Sequence, residues 1–594
     1  MILQALTAYY HRLVAEGADI APEGFERKKI PFLIVIDEDG TFIDLQDTRG
    51  KIGNALVARD FLVPKEKARS GSLSWETANI LWDHYGYVLG VPKSDNSKVR
   101  DLSNKQHSVF VAQVKELSEK YPNDDEIKAV YHFLKAGNFS AVFSATNWEE
   151  CRKIPGCNLS FLIKNRIGLV CENSINVKNY IALNDSQLQL DEDDDKITFV
   201  PVQAVCLVTG EYGPITRIHT RTPILNSKSN AKIVSFQKNS GFDSYGKEQG
   251  FNAPVGEKTE SAYTTALNRL LSRESTQKIQ LGDATTVFWA EKKNVMEDAF
   301  TKFFGEPAKG EPEQDYKQLL ALFYSPETGV KNAELDPDTK FYVLGLSPNS
   351  ARIAVRFWYA VTVGDIAKNI GQHFSDLEMV KSDKDWHRID LTSLLKSTAL
   401  QGKYDNITPN LVGDTVKAIL NGTPYPKTLL TSVINRIKAE QSYKDNFGNV
   451  TYTRAALIKS ILVRETRYYK RDIQEVTMSL DPSNSNSGYL LGRLFAVLER
   501  IQERANPGIN ATIRDRFYGA ASSSPVTIFP ILIKLKNYHI AKLENKGEAV
   551  NLEKQIGEII FKLGAEEAFP THLSLQDQGR FAIGYYHQRQ EFFR

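Results

Sequence analysis

The apolar pattern of this 594-residue chain changes period near Val363, and that change limits what the chain can fold into. Before it, short β-prone runs alternate with glycine-bearing turns. Residues 31–36 and 41–45 flank Asp37-Glu-Asp-Gly40, where glycine supplies a backbone geometry that other residues resist, so a hairpin is expected. Residues 341–346 and 353–363 repeat the layout around Ser347-Pro-Asn-Ser350. Further strands are expected at 161–170, 198–208 and 284–290. Helices are expected at 102–117, at 124–136 and around Trp75, Ile80 and Trp82. Leu3, Leu6, Tyr10 and Leu13 suit one face of a packed helix. After Val363, apolar residues recur at spacings of three and four, the period of an amphipathic helix. Leu491, Leu494, Phe495, Leu498 and Ile501 make one stripe, and Leu552, Ile556, Ile559, Ile560 and Leu563 another. The expected fold class is α+β. An N-terminal mixed α/β part with β-hairpins (1–365) precedes a helical region (366–477) and a C-terminal all-α helical bundle (478–594).

A chain this long can bury ample core in two or more domains. The formal net charge is +2, so any nucleic-acid surface must be local, with acids segregated elsewhere. Asp191-Glu-Asp-Asp-Asp195 is one such acidic run and reads as a solvated loop. Four cysteines suit a reducing compartment. Cys151, Cys157, Cys171 and Cys206 contain no C-x-x-C pair, so buried thiols are expected rather than zinc. No apolar run is long enough to span a membrane. His11 and Arg12 interrupt the N-terminal apolar residues, unlike a secretory signal, and a cytoplasmic location is expected.

The segment KIVSFQKNSGFDSYGKEQGFNAPVGEKTESAYTTALNRLLS (232–272) carries the densest chemistry. It reads as a short strand at 233–236, a polar loop, then a helix from about Lys258 with Tyr263, Leu267, Leu270 and Leu271 on one stripe. Amide, lysine and tyrosine side chains on such a loop suit a polar ligand. Gly241 to Lys247 matches the spacing of a phosphate loop, but Glu248 stands where a magnesium-binding Ser or Thr belongs. Gly250 and Pro254 also forbid the helix that should follow at once. From Tyr212 to Phe242 there is no Asp or Glu. Arg217, Arg221, Lys228, Lys232 and Lys238, with His219 among them and Lys247 beyond, therefore suit phosphate. The competing reading is a solvated surface paired by acids from elsewhere in the fold.

Candidates for contact with a DNA duplex are Lys28, Lys29, Arg49, Lys65, Lys67, Arg69, Ser70 and Ser72, flanked by Arg27 and Lys51. Gln249 and Asn252 join them because amides both donate and accept at base edges. A second surface is expected on residues 452–471. There Arg464, Arg467 and Arg471 share one helix face beside Tyr468, Tyr469 and Lys470. Cations follow a backbone and tyrosines stack bases, which suits a displaced single strand. Glu465 and Asp472 leave open the reading of a salt-bridged helix.

The loop VSFQKNSGFDSYGKEQGFNAP (234–254) resembles the signature of the large subunit of type I-C CRISPR Cascade, an RNA-guided surveillance complex. MILQALTAYYHRL and IAPEGFERKKIPFLIVIDEDGTF near the start are similar to that family's opening. So are DATTVFWAE (283–291), FYVLGLSPNSARIAVRFW (341–358), RDRFYGAASSSPVTIFP (514–530) and LSLQDQGRFAIGYYHQRQ (573–590), in the same order. The resemblance implies a non-enzymatic subunit without cofactor or metal. It would inspect the protospacer-adjacent motif on double-stranded DNA and promote R-loop opening. It would also hold the displaced strand and recruit a separate helicase–nuclease, while the guide RNA reads sequence by pairing. Implied partners are the guide RNA, the backbone and guide-end subunits, and a small subunit translated from an internal start near Met478. That methionine opens the linker MSLDPSNSNSG (478–488).

Two other classes compete. One is a nucleotide-dependent enzyme at Gly241–Lys247 or a metal nuclease, although the ten histidines form no H-x-x-x-H or His-Asp pair. The other is a stand-alone RNA-binding or scaffold protein with Tyr342, Phe357 and Tyr359 as an aromatic platform.

Overall fold

A computed structural model describes residues 1–52, 55–67, 69, 74–94, 96–184, 202–228, 231–237, 241, 245–304, 313–328, 336–349, 352–382, 385, 389–440, 449–473, 475–564 and 569–593. Ser70, Ser72, Lys238 and the acidic run at 191–195 lie outside these residues. The chain forms two compact units. One comprises Met1–Pro223, Ser227–Ser272 and Asn349–Ile353; the other comprises Ile224–Asn226, Arg273–Pro348 and Ala354–Arg594. The boundaries expected at 365 and 477 both fall inside the second unit.

The first unit starts with helix α1 (Ile2–Ala15), strand β1 (Phe25–Lys29), strand β2 (Phe32–Ile36) and strand β3 (Phe42–Asp47). Between β2 and β3 the Asp37 carboxylate accepts from the backbone amides of Asp39 at 3.1 Å and Thr41 at 2.7 Å. Gly40 closes the turn at φ +88°, where a Cβ would sit 2.4 Å from the Ala129 carbonyl. Strand β4 (Asp60–Pro64) pairs antiparallel with β1. A four-stranded sheet runs β3, β2, β6 (Asn158–Ile163), β5 (Trp82–His84). In it β2 and β6 are parallel, while β3 and β5 run antiparallel to their neighbours. Helices α2 (Ser97–Lys120) and α3 (Asp125–Ala136) cover it, and Phe110 and Phe133 meet Phe161 of β6. The short pair β7 (Gln203–Val205) and β8 (Tyr212–Pro214) leads towards helix α4 (Glu257–Leu271), which packs on α1.

In the second unit β9 (Lys278–Leu281), β10 (Ala284–Ala290), β11 (Lys340–Asn349) and β12 (Arg352–Thr362) form a sheet in sequence order. Phe288, Phe341, Val343, Phe357 and Tyr359 face one continuous core with helix α5 (Val363–Leu377). From Val363 onward the described residues are helical or irregular. Helices α6 (Pro409–Asn421), α7 (Lys427–Ala439), α8 (Tyr452–Tyr468), α9 (Ser487–Ala505), α10 (Ile513–Ala521), α11 (Pro525–Ala541), α12 (Lys546–Leu563) and α13 (Leu575–Glu591) follow. The α+β class holds, with the β-hairpins N-terminal and the helical bundle C-terminal. All five residues of the 491–501 stripe are buried; in the 552–563 stripe four are, and Ile560 is half-buried.

Three local expectations are corrected. No helix spans Trp75 to Trp82. Ser74–Glu76 is a single 3-10 turn and Trp82 lies on β5, paired with Ser160 of β6, its indole donating to the Pro64 carbonyl at 2.8 Å. The strand expected at 161–170 ends at Ile163. Residues 233–236 are irregular, and the chain leading into them is tied to Thr222. Thr222 N–H donates to the Ala231 carbonyl at 2.8 Å and Ile233 N–H to the Thr222 hydroxyl at 3.3 Å. The aromatic platform is also corrected: Phe357 and Tyr359 fill core, and Tyr342 is only 9% exposed. The four cysteines are free and buried, and no described helix is long and apolar enough to cross a membrane.

Candidate nucleic-acid interface

The end of the signature loop, residues 247–252, is held by a close set of contacts. Gly250 N–H donates to the Arg217 carbonyl at 2.9 Å. A Cβ on Gly250 would lie 2.5 Å from the Thr216 carbonyl oxygen and 2.7 Å from that of Arg217, so only glycine permits this approach. Its neighbour Gln249 is held at φ +47°, a left-handed backbone that costs a non-glycine residue about 1–3 kcal/mol. The Arg217 guanidinium donates to the Gln249 side-chain oxygen at 2.7 Å. Asn252 donates to the carbonyls of Gln249 at 3.0 Å and Lys247 at 3.2 Å, stapling the 3-10 turn Gln249–Asn252. Lys247 is followed by that turn, and α4 begins only at Glu257, so the helix a phosphate loop needs is missing from this position. Arg217, His219, Lys232, Gln249 and Gly250 line one small cleft together with Ser235 and Phe236. Arg221, Lys228 and Lys247 are exposed.

Beneath the loop lies a polar network. Glu260 of α4, 3% exposed, accepts from the Thr220 amide at 2.7 Å and from the Lys65 ammonium. Burial pushes its carboxyl up, but Lys65, the Thr220 amide and His219 outweigh that and hold it below the usual range. The Tyr263 hydroxyl bonds to His219 Nδ1. Burial lowers the His219 pKa to about 4, so the ring is neutral at pH 7. Lys65 thereby ties the N-terminal group of candidates to helix α4 and, through Glu260, to the backbone of Thr220.

Several of those candidates serve the fold. Arg69 donates through both terminal nitrogens to Asp83, which is 1% exposed, and stacks 4.2 Å from the centre of the Tyr87 ring. Arg49 clasps Asp47 at 2.7–3.1 Å and lies over Phe32. Lys28 pairs with Glu66 and lies over Trp82. Burial holds the Lys67 ammonium below the usual lysine range. Asp83 and Glu260 are buried charges, so removing Arg69 or Lys65 would strand an uncompensated carboxylate. Lys29 is exposed and makes no ion pair among the described residues. Asp83 and Glu260 were missed at the sequence level, because nothing in their spacing marks a carboxylate as buried.

The second surface is corrected at one residue. Arg464 is 2% exposed, and its guanidinium donates to the carbonyls of Thr423 at 2.7 Å and Ala418 at 2.6 Å beneath the Tyr425 ring. It is inside the second unit and unavailable to a strand. Arg467 is partly exposed and forks onto Asp376 at 2.6 and 2.8 Å. Arg471 pairs with Glu465 at 3.0 Å, and Tyr468, Tyr469 and Lys470 are exposed beside it. Arg464→Lys, which keeps the charge but loses the planar fork, is expected to lower stability by about 2 kcal/mol in urea unfolding. Arg471→Ala is expected to leave stability within about 0.5 kcal/mol. If Arg471 meets a strand, its loss also reduces the salt slope of single-strand binding by about 0.7.

The C-terminal signature segments converge on structure. Glu499 of α9, 0% exposed, accepts from the Thr512 and Tyr585 hydroxyls at 2.6 Å each. Arg514 and Arg589 approach it at 3.8 and 3.6 Å. Three of these groups, Arg514, Tyr585 and Arg589, come from the segments 514–530 and 573–590. A family model described as CRISPR-associated protein (Cas_Csd1) matches residues 6–593. No curated protein matches the chain.

Proposed function

The chain belongs to the CRISPR-associated Csd1 family, and on that premise we propose that it is the non-catalytic large subunit of a type I-C Cascade. In this reading it inspects the protospacer-adjacent motif on duplex DNA, promotes R-loop opening, holds the displaced strand and recruits a helicase–nuclease, while guide RNA pairing reads the target. The observation that carries it is the signature loop. Gly250 and the Arg217–Gln249 bond fix the end of that loop, residues 249 and 250, against residues 216 and 217 of a stretch with no acidic residue between Tyr212 and Phe242. A fixed, cationic, glycine-bearing loop is suited to approach a phosphate backbone closely and still present backbone and side-chain amides. The exposed Lys29, Arg221, Lys228 and Lys247 supply sequence-independent attraction. Near the α8–α9 linker, Met478 is half exposed and its carbonyl accepts from the Val380 amide at 2.8 Å. A second product starting there would supply the small subunit.

The test uses the assembled complex, purified from the intact gene set with and without this chain, on duplexes that differ only in the flanking motif. Complexes with the chain are expected to favour the proper motif by at least tenfold, and complexes without it to lose that preference. Intact mass analysis of the same preparation should show a fragment beginning at Met478 or Ser479. Unchanged motif preference without the chain, or turnover of ATP by the purified chain, would sink the reading.

A further inference from the structure

The cleft beside the signature loop is built from donors. Arg217, His219, Lys232 and Gln249 line it, and no carboxylate does so among the described residues. The Gln249 side-chain oxygen is already taken by Arg217, which leaves its amide N–H groups to face an acceptor. His219 is 2% exposed and its Nε2 has no hydrogen-bond partner. The Tyr263 hydroxyl bonds to Nδ1 of that ring and to no other described group. Giving the phenol proton to Nδ1 satisfies the one buried hydroxyl donor at this contact, and this assignment places the ring proton on Nε2. The result is a buried N–H that lacks an acceptor in a cleft already rich in donors. Lys232 makes no ion pair within 4 Å among the described residues. Burial, opposed by Glu260 and reinforced by Arg217, holds its ammonium below the usual lysine range. An anion in the cleft would relieve both groups at once. The cleft holds a cavity of about 40 Å³, far below the range of sites that enclose a whole small molecule.

We propose that this cleft is a binding site for a single phosphate group, held by Lys232, the His219 Nε2–H, the Gln249 amide and Arg217. The site deepens the nucleic-acid reading and rests on it only for the source of the phosphate, a backbone phosphodiester of the bound duplex. Free inorganic phosphate shares the same chemistry and is distinguished by experiment.

The experiment has two arms on the full chain. In the first, chain labelled with ¹⁵N-histidine is titrated with inorganic phosphate at constant ionic strength. The His219 ring N–H signal, assigned by its loss in His219→Gln, is expected to shift saturably. Lys232→Met should keep the signal and abolish the shift. In the second, a fluorescent 20-base-pair duplex is bound across a salt series. Lys232→Met is expected to weaken binding at least tenfold and lower the salt slope by about 0.9. Lys98→Met, which removes an exposed lysine on α2, should change affinity by less than threefold. A phosphate response without any duplex binding would keep the site, assign it to free phosphate and sink the nucleic-acid reading. Duplex binding that Lys232→Met leaves intact, with no phosphate response at His219, would overturn the proposal and leave that reading standing.

Discussion

Gly492→Ala is expected to destabilise the second unit by about 4 kcal/mol or more, enough to leave much of it unfolded. A Cβ at Gly492 would lie 2.0 Å from the Phe581 carbonyl oxygen and 2.8 Å from the Tyr585 nitrogen. Both atoms are backbone of α13, so no side chain can turn aside to make room. The approach is reciprocal: a Cβ on Gly584 of α13 would lie 2.1 Å from the Tyr489 carbonyl oxygen, and one on Gly488 2.4 Å from that of Asp577. Gly488 and Gly492 are one turn apart on α9, so three glycines let two helix backbones touch along a line. Relief requires moving α13 bodily, and α13 also packs on α8 and α7. Overpacking by one methyl usually costs about 1–3 kcal/mol; a clash with backbone on a central helix pair belongs above that range. Gly557→Ala is the internal control. Gly557 is exposed within α12 and nothing lies within 4 Å of its added Cβ, so a gain of about 0.5–1 kcal/mol is expected from helix propensity. Urea unfolding of both variants checks the pair. A loss below 1 kcal/mol for Gly492→Ala would show that these helices do not touch.

What could be read from sequence was what local period and turn chemistry decide. The Asp37–Gly40 hairpin, the 341–363 strand pair, helix α4 with its Tyr263–Leu271 stripe and the apolar faces of α9 and α12 all follow from spacings within one element. What escaped depends on partners far away in the chain. Arg464 looked like surface because arginine usually is, yet it shares a stripe with Leu457 and Ile461, both buried. Its burial is tolerated because carbonyls of residues more than forty positions earlier accept its protons. Trp75, Ile80 and Trp82 suggested a helix, but pairing of Trp82 with Ser160 overrides that local preference. At 233–236 the β-prone composition was correct in kind, but a strand forms only where another strand is there to pair with it. The signature loop stands out in sequence through its amides, lysines and glycines. That Arg217, Lys232 and Gln249 share one cleft does not, since it depends on Gly250 meeting the backbone of residues 216 and 217.

Glu499→Ala is expected to cost about 3–5 kcal/mol, although this residue touches no surface. Its carboxylate is the meeting point of four groups from two other helices or their caps: the Thr512 and Tyr585 hydroxyls and the guanidiniums of Arg514 and Arg589. Truncation leaves two buried hydroxyls without their acceptor and two cations without their shared anion. Arg589 keeps Glu503 at 2.8 Å, so Arg514 bears more of the loss. Glu499→Gln preserves the shape and one acceptor oxygen but removes the charge, and about 2–3 kcal/mol is expected. Glu503→Ala, at the partly exposed rim, should cost about 1 kcal/mol or less. The network interpretation makes a sharper demand than any single variant. Tyr585→Phe and Glu499→Ala remove the two ends of one hydrogen bond, so their costs should not add. The double variant is expected to fall short of the sum by about 1 kcal/mol or more. Strict additivity would mean that Glu499 and Tyr585 act independently. The two C-terminal signature segments would then need a reason for their shared chemistry other than this buried carboxylate.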